Sequence, residues 1–132
     1  MTALAFSSRS LRNLEGLHPD LIRAARRALE LTEGDFIVIE GRRTLERQRE
    51  LVKTGASRTL DSRHLTGHAL DFLAIDPATG RGAWTWALYP RVAAAFKAAA
   101  AELDVPLVWG GDWPRLKDGG HIELDRARYP AG

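Results

Sequence analysis

The chain has 132 residues, of which 45% are hydrophobic and 27% charged, a composition typical of a soluble globular protein. It contains no cysteine, which excludes disulfides, thiolate metal sites and a cysteine nucleophile. The formal charge of +2 is too small to select nucleic acid as a partner, and no apolar stretch approaches the ~20 residues of a membrane span. We expect residues 1–132 to form a single domain without stable membrane insertion.

The first half of the chain predicts two helices around a strand. Residues 18–31 carry apolar side chains at helical spacing, with Pro19 suited to the first turn. Residues 44–55 predict a second helix, with Thr44 as its N-cap and a glycine at its end. Between them, residues 35–41 form a β-branched run bounded by glycines, which predicts a buried strand.

The second half alternates loops, strands and one long helix. The predicted elements are a polar loop (57–67), a strand (68–75), a turn (76–82), an alanine-rich helix (89–104), a short strand (105–109), a loop (110–120) and a last strand (121–124). The loops are too irregular for a regular βαβ winding. The sequence therefore predicts an α+β fold in which helices pack against a small antiparallel sheet.

The segment "SRHLTGHALDF", residues 62–72, holds two of the four histidines. Because side chains alternate faces along a strand, His68 and Asp71 are expected to point to opposite faces. A glycine between His64 and the strand lets the loop turn sharply, so that His64 can meet Asp71. His121, at the start of the last strand, is the best third ligand, whereas His18 precedes a proline at a helix start and is interpreted as structural.

Two histidines and one carboxylate leave the fourth position of a tetrahedral zinc ion for water, the pattern of a catalytic site. Zinc lowers the pKa of that water toward about 7, and a nearby carboxylate can then act as general base. Asp118 and Glu123 both flank His121, and spacing alone does not choose between them.

The stretch "SRHLTGHALD" matches the pattern Ser-x-His-x-x-Gly-x-Ala-x-Asp. It resembles the signature of zinc peptidases that cleave peptidoglycan peptides, namely D-alanyl-D-alanine carboxypeptidases and phage L-alanyl-D-glutamate endopeptidases. The resemblance implies the D,D-peptidase/Hedgehog-like fold, with His64 and Asp71 as zinc ligands. The family's second element, here "DGGH", implies His121 as the third ligand and Asp118 as the catalytic base, in preference to Glu123.

Two further stretches are similar to family elements. "EGRRTLERQ" resembles a Gly-x-Arg-Thr element whose arginine sits near the substrate carbonyl, which implies Arg43. "WGGDW", residues 109–113, is similar to a Trp-Gly-Gly-Asp-Trp element of the phage endolysin branch. The substrate-binding candidates are Ser62, Trp109, Asp112 and Trp113. The alternative interpretations are a loop serine for Ser62, core packing for Trp109 and a loop anchor for Trp113.

The sequence also departs from the family pattern at two positions. Many relatives carry proline where Gly120 stands, which predicts a looser loop before His121. An aspartate rather than a glutamate as base points toward the endolysin branch.

The resemblance thus implies a zinc peptidase that hydrolyses the L-alanyl-D-glutamate bond of peptidoglycan as a phage or prophage endolysin. The N-terminus does not resemble a secretory signal, so we expect a monomer made in the cytoplasm and released by a holin-type pore to act on the cell wall in the periplasm. The alternatives are a D-alanyl-D-alanine carboxypeptidase or dipeptidase of the same fold, and a non-catalytic zinc-containing binding domain. A nucleic-acid binder would need a basic patch with interleaved aromatics, which the sequence lacks.

Overall fold

An antiparallel sheet lies at the centre of the computed structural model, which describes residues 7–55, 62–115 and 117–130. The strands are β1 Phe36–Glu40, β2 Ala69–Asp76, β3 Arg81–Gly82, β4 Leu107–Trp109 and β5 His121–Leu124. They run in the order β1-β2-β5-β4, and the two-residue β3 pairs with β2. The predicted α+β class with an antiparallel sheet is confirmed.

The helices are α1 Ser8–Leu14, α2 Pro19–Leu31, α3 Leu45–Lys53 and α4 Tyr89–Leu103, and short 3-10 helices cover Arg63–Thr66, Trp86–Leu88 and Gly110–Asp112. The helices predicted at 18–31, 44–55 and 89–104 are confirmed. Pro19 begins α2, and the Thr44 hydroxyl caps α3 by accepting a hydrogen bond from the Arg47 amide. Parts of the sequence-based interpretation, at residues 1–6, 56–61 and 116, lie outside the described residues.

The first helix, α1, was not predicted. It has seven residues, too few to show a helical period in the sequence. The Ser7 hydroxyl caps it by accepting a hydrogen bond from the Ser10 amide, and Leu14 is buried at its end. The side-chain amide of Asn13 donates to the Val38 carbonyl at 2.8 Å, which attaches this helix to β1.

The core lies between one face of the sheet and the helices α2 and α4. Phe36 of β1, Phe72 of β2 and Phe96 of α4 meet with ring centroids 5.3 to 5.7 Å apart. Burying three phenylalanines contributes on the order of 5–9 kcal/mol of hydrophobic free energy. Ala93, Ala95 and Ala99 of α4 face this core, whereas Ala94, Ala98 and Ala101 are exposed. None of the helices in the described ranges is long and apolar enough to cross a membrane.

A left-handed glycine makes the turn between the 3-10 helix Arg63–Thr66 and β2. Gly67 has φ 77° and ψ 18°, and its amide donates to the His64 carbonyl. A Cβ on this residue would lie 2.6 Å from the Gly16 carbonyl oxygen, because the chain before α2 passes directly over the turn. The sharp turn predicted at this glycine is confirmed, and it positions His64 beside β2.

We expect Gly67→Ala to lower the free energy of unfolding by roughly 2–5 kcal/mol, because it combines left-handed strain with a backbone clash. Gly80→Ala is the matched control, since Gly80 has φ 72° and open space around it. The control should cost about 1–2 kcal/mol from the strain alone. Urea unfolding of the two variants measures the difference, and equal losses would contradict the clash.

Candidate metal centre

Three polar residues lie opposite one another across the sheet. Asp71 of β2 pairs in register with His121 of β5 on one side and with Glu40 of β1 on the other. The neighbours of Asp71 along β2, Leu70 and Phe72, are fully buried. Because side chains alternate along a strand, the Asp71 side chain points away from the phenylalanine core.

His64 approaches Asp71 from the 3-10 helix before β2. Its Nε2 lies 3.4 Å from Asp71 Oδ2, and its Nδ1 lies 2.9 Å from the Gly41 carbonyl oxygen. A carbonyl can only accept, so Nδ1 carries the proton and donates. This hydrogen bond orients the ring so that Nε2 faces Asp71.

His121 reaches Asp71 from the neighbouring strand. Its Nδ1 lies 3.3 Å from Asp71 Oδ1, while its Nε2 donates to Glu123 Oε1 at 2.9 Å. Burial lowers the pKa of His121, but the hydrogen bonds to Asp71 and Glu123 outweigh it and raise that pKa to about 9. The Nδ1 proton must therefore leave before Nδ1 can bind a cation.

His64, Asp71 and His121 form a group that could hold a metal ion. One donor atom from each residue lies within 4.8 Å of the others. Burial raises the pKa of Asp71, but hydrogen bonds with His121 and His64 hold it well below its usual range, so this carboxylate is ionised. Two imidazole nitrogens and one carboxylate oxygen are a donor set that fits a divalent ion, and each imidazole is oriented by an acceptor on its far side.

Glu123 has a role that the sequence did not show. It is 5% exposed, and besides His121 it accepts a hydrogen bond from Arg126 Nε at 3.1 Å. The guanidinium of Arg63 lies 3.7 Å from the same carboxylate and also donates to the carbonyls of Leu124 and Tyr129. Glu123 is thus held between two arginines and fixes the far side of His121. The sequence signal was only its two-residue spacing from His121.

Arg43 lies at the edge of this group and is held by Glu40 and Gln48, the first and last residues of "EGRRTLERQ". Its Nε and Nη2 donate to both Glu40 oxygens at 2.8 and 2.7 Å, and its Nη1 donates to Gln48 at 2.6 Å. Nη2 also lies 3.6 Å from Asp71 Oδ2. The sequence reasoning missed Glu40 and Gln48, although a glutamate three residues before the arginine was a readable signal.

An open groove begins beside Arg43. It has a volume of about 530 Å³ and is lined by Arg42, Arg43, Thr44, Leu45 and Leu65. Its lining contains none of the three grouped residues, and Arg43, which lies 3.6 Å from Asp71, is the lining residue that connects the groove to them.

Asp118 lies in the loop before β5. Burial of its carboxylate and the nearby charge of Asp71 raise the pKa of Asp118. The loop is held against the sheet at Gly120, whose amide donates to Asp118 Oδ1 at 3.3 Å and whose carbonyl accepts from the Phe72 amide at 2.8 Å. A Cβ at Gly120 would lie 2.5 Å from the Phe72 carbonyl oxygen, so the loop is close against β2 where the sequence predicted a looser one.

The four substrate-binding candidates occupy different surroundings. The Ser62 hydroxyl accepts a hydrogen bond from the His64 amide, and the Trp113 ring lies 5.1 Å from the His121 ring. Trp109 is 7% exposed and belongs to the core, while Asp112 pairs with Lys97 at the surface. Ser62 and Trp113 thus lie at the candidate site, and direct contact of any of the four with substrate stays a prediction.

The two remaining histidines lie outside the group. His18 caps α2 by accepting a hydrogen bond from the Asp20 amide, as expected for a structural residue. The Nδ1 of His68 lies 2.6 Å from the Thr66 hydroxyl, and its ring centroid lies 5.5 Å from that of His18.

Comparison with known proteins places this geometry in a family. The sequence profile of the phage L-alanyl-D-glutamate peptidase family matches residues 2–131. An L-alanyl-D-glutamate peptidase of Escherichia phage T5 is 35% identical, with 96% of this chain and 93% of that protein aligned. One of the same name from Listeria phage A118 is also 35% identical over 94% of this chain, which spans 43% of that longer protein.

A solved structure extends the likeness to three dimensions. The crystal structure of the Serratia marcescens L-Ala D-Glu endopeptidase ChiX superposes with a TM-score of 0.90 at 46% sequence identity, covering 98% of this chain and 96% of that one. The likeness in sequence therefore extends to the backbone that carries His64, Asp71 and His121. On the profile match over nearly its whole length, the chain belongs to the phage L-alanyl-D-glutamate peptidase family.

Proposed function

We propose that this chain is a zinc-dependent peptidase that hydrolyses the L-alanyl-D-glutamate bond of peptidoglycan stem peptides, acting as a phage or prophage endolysin. The observation that carries the proposal is the convergence of His64, Asp71 and His121 in a chain that belongs throughout to this family. The names of the relatives specify the bond, and the three-residue group supplies the chemistry that a peptidase of this kind requires.

The donor set favours zinc among the divalent ions. Imidazole nitrogen suits zinc better than the oxygen-seeking magnesium and calcium, and three protein ligands leave a coordination position open for catalysis. Zinc held by His64, Asp71 and His121 would act as a Lewis acid that polarises the scissile carbonyl and lowers the pKa of a water molecule. The Gly41 carbonyl and Glu123 keep the two imidazoles turned toward that ion.

Asp118 is the proposed general base. Its carboxylate accepts one backbone hydrogen bond, from Gly120, whereas Glu123 is tied to His121 and Arg126. A raised pKa brings a carboxylate closer to the operating pH, which improves proton transfer. Asp118 would take a proton from the attacking water and pass it to the leaving amine.

Arg43 is proposed to stabilise the oxyanion that develops on the scissile carbonyl. Its guanidinium is fixed by Glu40 and Gln48 before substrate arrives, so little reorganisation is needed during the reaction. Its position between the groove and Asp71 fits a group that contacts the substrate backbone.

The proposed substrate lies in the cell wall. That the protein reaches it through a holin-type pore stays a prediction, and so does its monomeric state.

Mass spectrometry of digested peptidoglycan identifies the cleaved bond. New N-terminal D-glutamate would support the proposal, whereas release of terminal D-alanine would indicate the carboxypeptidase alternative.

We expect the protein to bind one zinc ion and to lose hydrolysis in strong chelator. Because His64 and His121 each supply one ligand atom, changing either to alanine should weaken zinc binding by more than the roughly 10–100-fold typical of losing an outer partner. His68→Ala is the matched control, since His68 lies outside the group. Isothermal titration calorimetry gives the affinities, and equal weakening in all three variants would contradict the assigned ligands.

Asp118→Ala should lower kcat on purified peptidoglycan by about 10²–10⁴-fold, the contribution typical of general base catalysis, while zinc content stays unchanged. Glu50→Ala controls for the loss of an exposed carboxylate on α3. Muropeptide release by chromatography and bound zinc by elemental analysis measure the two effects. Full activity of the Asp118 variant would indicate a different base, whereas a wild type that binds zinc but releases no muropeptides would favour the non-catalytic zinc-containing domain.

Glu123→Ala should weaken zinc binding by roughly 10–100-fold, because His121 loses the acceptor that fixes its orientation. Glu123→Gln keeps an oxygen that can accept from His121 Nε2, so zinc binding and kcat should fall less than in the alanine variant. If Glu123 were the general base instead of Asp118, the glutamine variant would lose kcat with zinc affinity retained. Calorimetry and steady-state kinetics on the two variants separate these roles.

A further inference from the structure

Two indole rings project to the surface beside the loop that carries Asp118. Trp84 is 68% exposed and Trp86 49%, whereas the other exposed large apolar side chains among the described residues are leucines, Leu11 and Leu45. The two tryptophans stand two residues apart in the chain, and exposed apolar side chains that cluster mark binding surfaces in soluble proteins. The mechanism proposed above uses neither residue.

Both indoles are held in place by rings beneath them. Trp84 stacks on Tyr89 with ring centroids 5.9 Å apart and an interplanar angle of 8°. Trp86 stacks on Trp109 at 5.7 Å and 22°. Tyr89 and Trp109 are buried, so the two exposed rings are ordered before any ligand binds. An ordered flat apolar face loses little conformational entropy on binding.

The supporting rings also touch the loop before His121. Trp109 Nε1 donates to the Gly119 carbonyl at 2.7 Å. A Cβ at Gly119 would lie 3.1 Å from Trp86 Cζ3 and 3.4 Å from Tyr89 Cδ2. Gly119 follows the proposed base directly. Trp86 therefore lies directly beside Gly119, and Trp84 is separated from Gly119 by the Tyr89 ring.

The chemistry of the proposed substrate indicates what these rings bind. In peptidoglycan, L-alanine is joined to the lactyl group of a muramic acid, so the L-alanyl-D-glutamate bond lies one residue from the glycan strand. The sugars next to it are N-acetylated and uncharged, with pyranose rings that present apolar C–H faces. Neutral indole faces match such rings, whereas the rest of the stem peptide carries charged groups that would favour charged partners.

We propose that Trp84 and Trp86 form a saccharide platform that binds the N-acetylated glycan strand next to the scissile bond. The proposal rests on the proposed function, because it takes the substrate from it. The platform would distinguish glycan-linked peptides from free ones and place the first peptide bonds of the stem near His64, Asp71 and His121.

Titration of the zinc-loaded protein with peptide-free glycan strands, followed by calorimetry, tests the platform directly. Wild type should bind these strands, and Trp84→Ala or Trp86→Ala should each weaken binding roughly threefold to tenfold. Leu11→Ala, which removes an exposed apolar side chain from α1, should leave it unchanged. Trp86→Tyr keeps a flat ring and should restore most of the binding. Thermal unfolding of each variant checks that the fold persists.

Kinetics provide the second measurement. For disaccharide-linked muropeptides, Trp86→Ala should raise KM with little change in kcat, while kcat/KM on a sugar-free peptide of the same sequence should stay that of wild type. Unchanged glycan binding in both alanine variants, or equal losses on the two substrates, would overturn the platform. Loss of self-association or of vesicle binding in place of glycan binding would overturn it too.

The two proposals fail in different ways. If wild type cleaves no L-alanyl-D-glutamate bond in any substrate, the proposed function fails. If wild type cleaves that bond but the tryptophan variants bind glycan as wild type does, only the platform fails.

Discussion

The candidate site depends on the contacts that the Asp71 carboxylate makes with His64 and His121. The carboxylate lies between two imidazoles that come from separate parts of the chain, and its two oxygens face one imidazole each. Its ionised form, held by those hydrogen bonds, draws His64 and His121 together before any cation is bound. The sheet register that sets Asp71 opposite His121 is therefore as important to the site as the ligands themselves.

The rest of the molecule supports that register. The phenylalanine core fixes one face of β1 and β2, and the turn at Gly67 returns the chain so that His64 can reach the opposite face. Outer partners then fix the orientation of each functional group. The Gly41 carbonyl orients His64, Glu123 orients His121, and Glu40 with Gln48 orients Arg43. A site fixed in this way needs little rearrangement when a metal ion or a substrate arrives.

Much of this arrangement could be predicted from the sequence. The glycine before β2 predicted the turn that brings His64 to Asp71, and this inference held because a short segment determines such a turn. His68 was expected to be separated from Asp71 by strand alternation, and it lies outside the group, although β2 begins one residue after it. Helix α1 was not predicted, because seven residues are too few to show a helical period. The hydrogen bonds that hold Arg43 were not predicted either, because Glu40 lies on a strand and Gln48 on a helix, and their relative placement depends on tertiary packing. The stacking of Trp84 and Trp86 could not be inferred, since stacked aromatic rings have no characteristic spacing in the sequence.

The hydrogen bonds of Arg63 link the candidate metal centre to the segment that follows β5. One guanidinium donates to carbonyls at Leu124 and Tyr129 while its charge faces Glu123, the outer partner of His121. Through Arg63 and Glu123, the segment after β5 thus helps to orient the His121 imidazole. For protein engineering, a fusion or truncation that displaces Tyr129 would release Arg63 and with it the orientation of His121, even with His64, Asp71 and His121 unchanged, so linkers to added modules should begin beyond Tyr129.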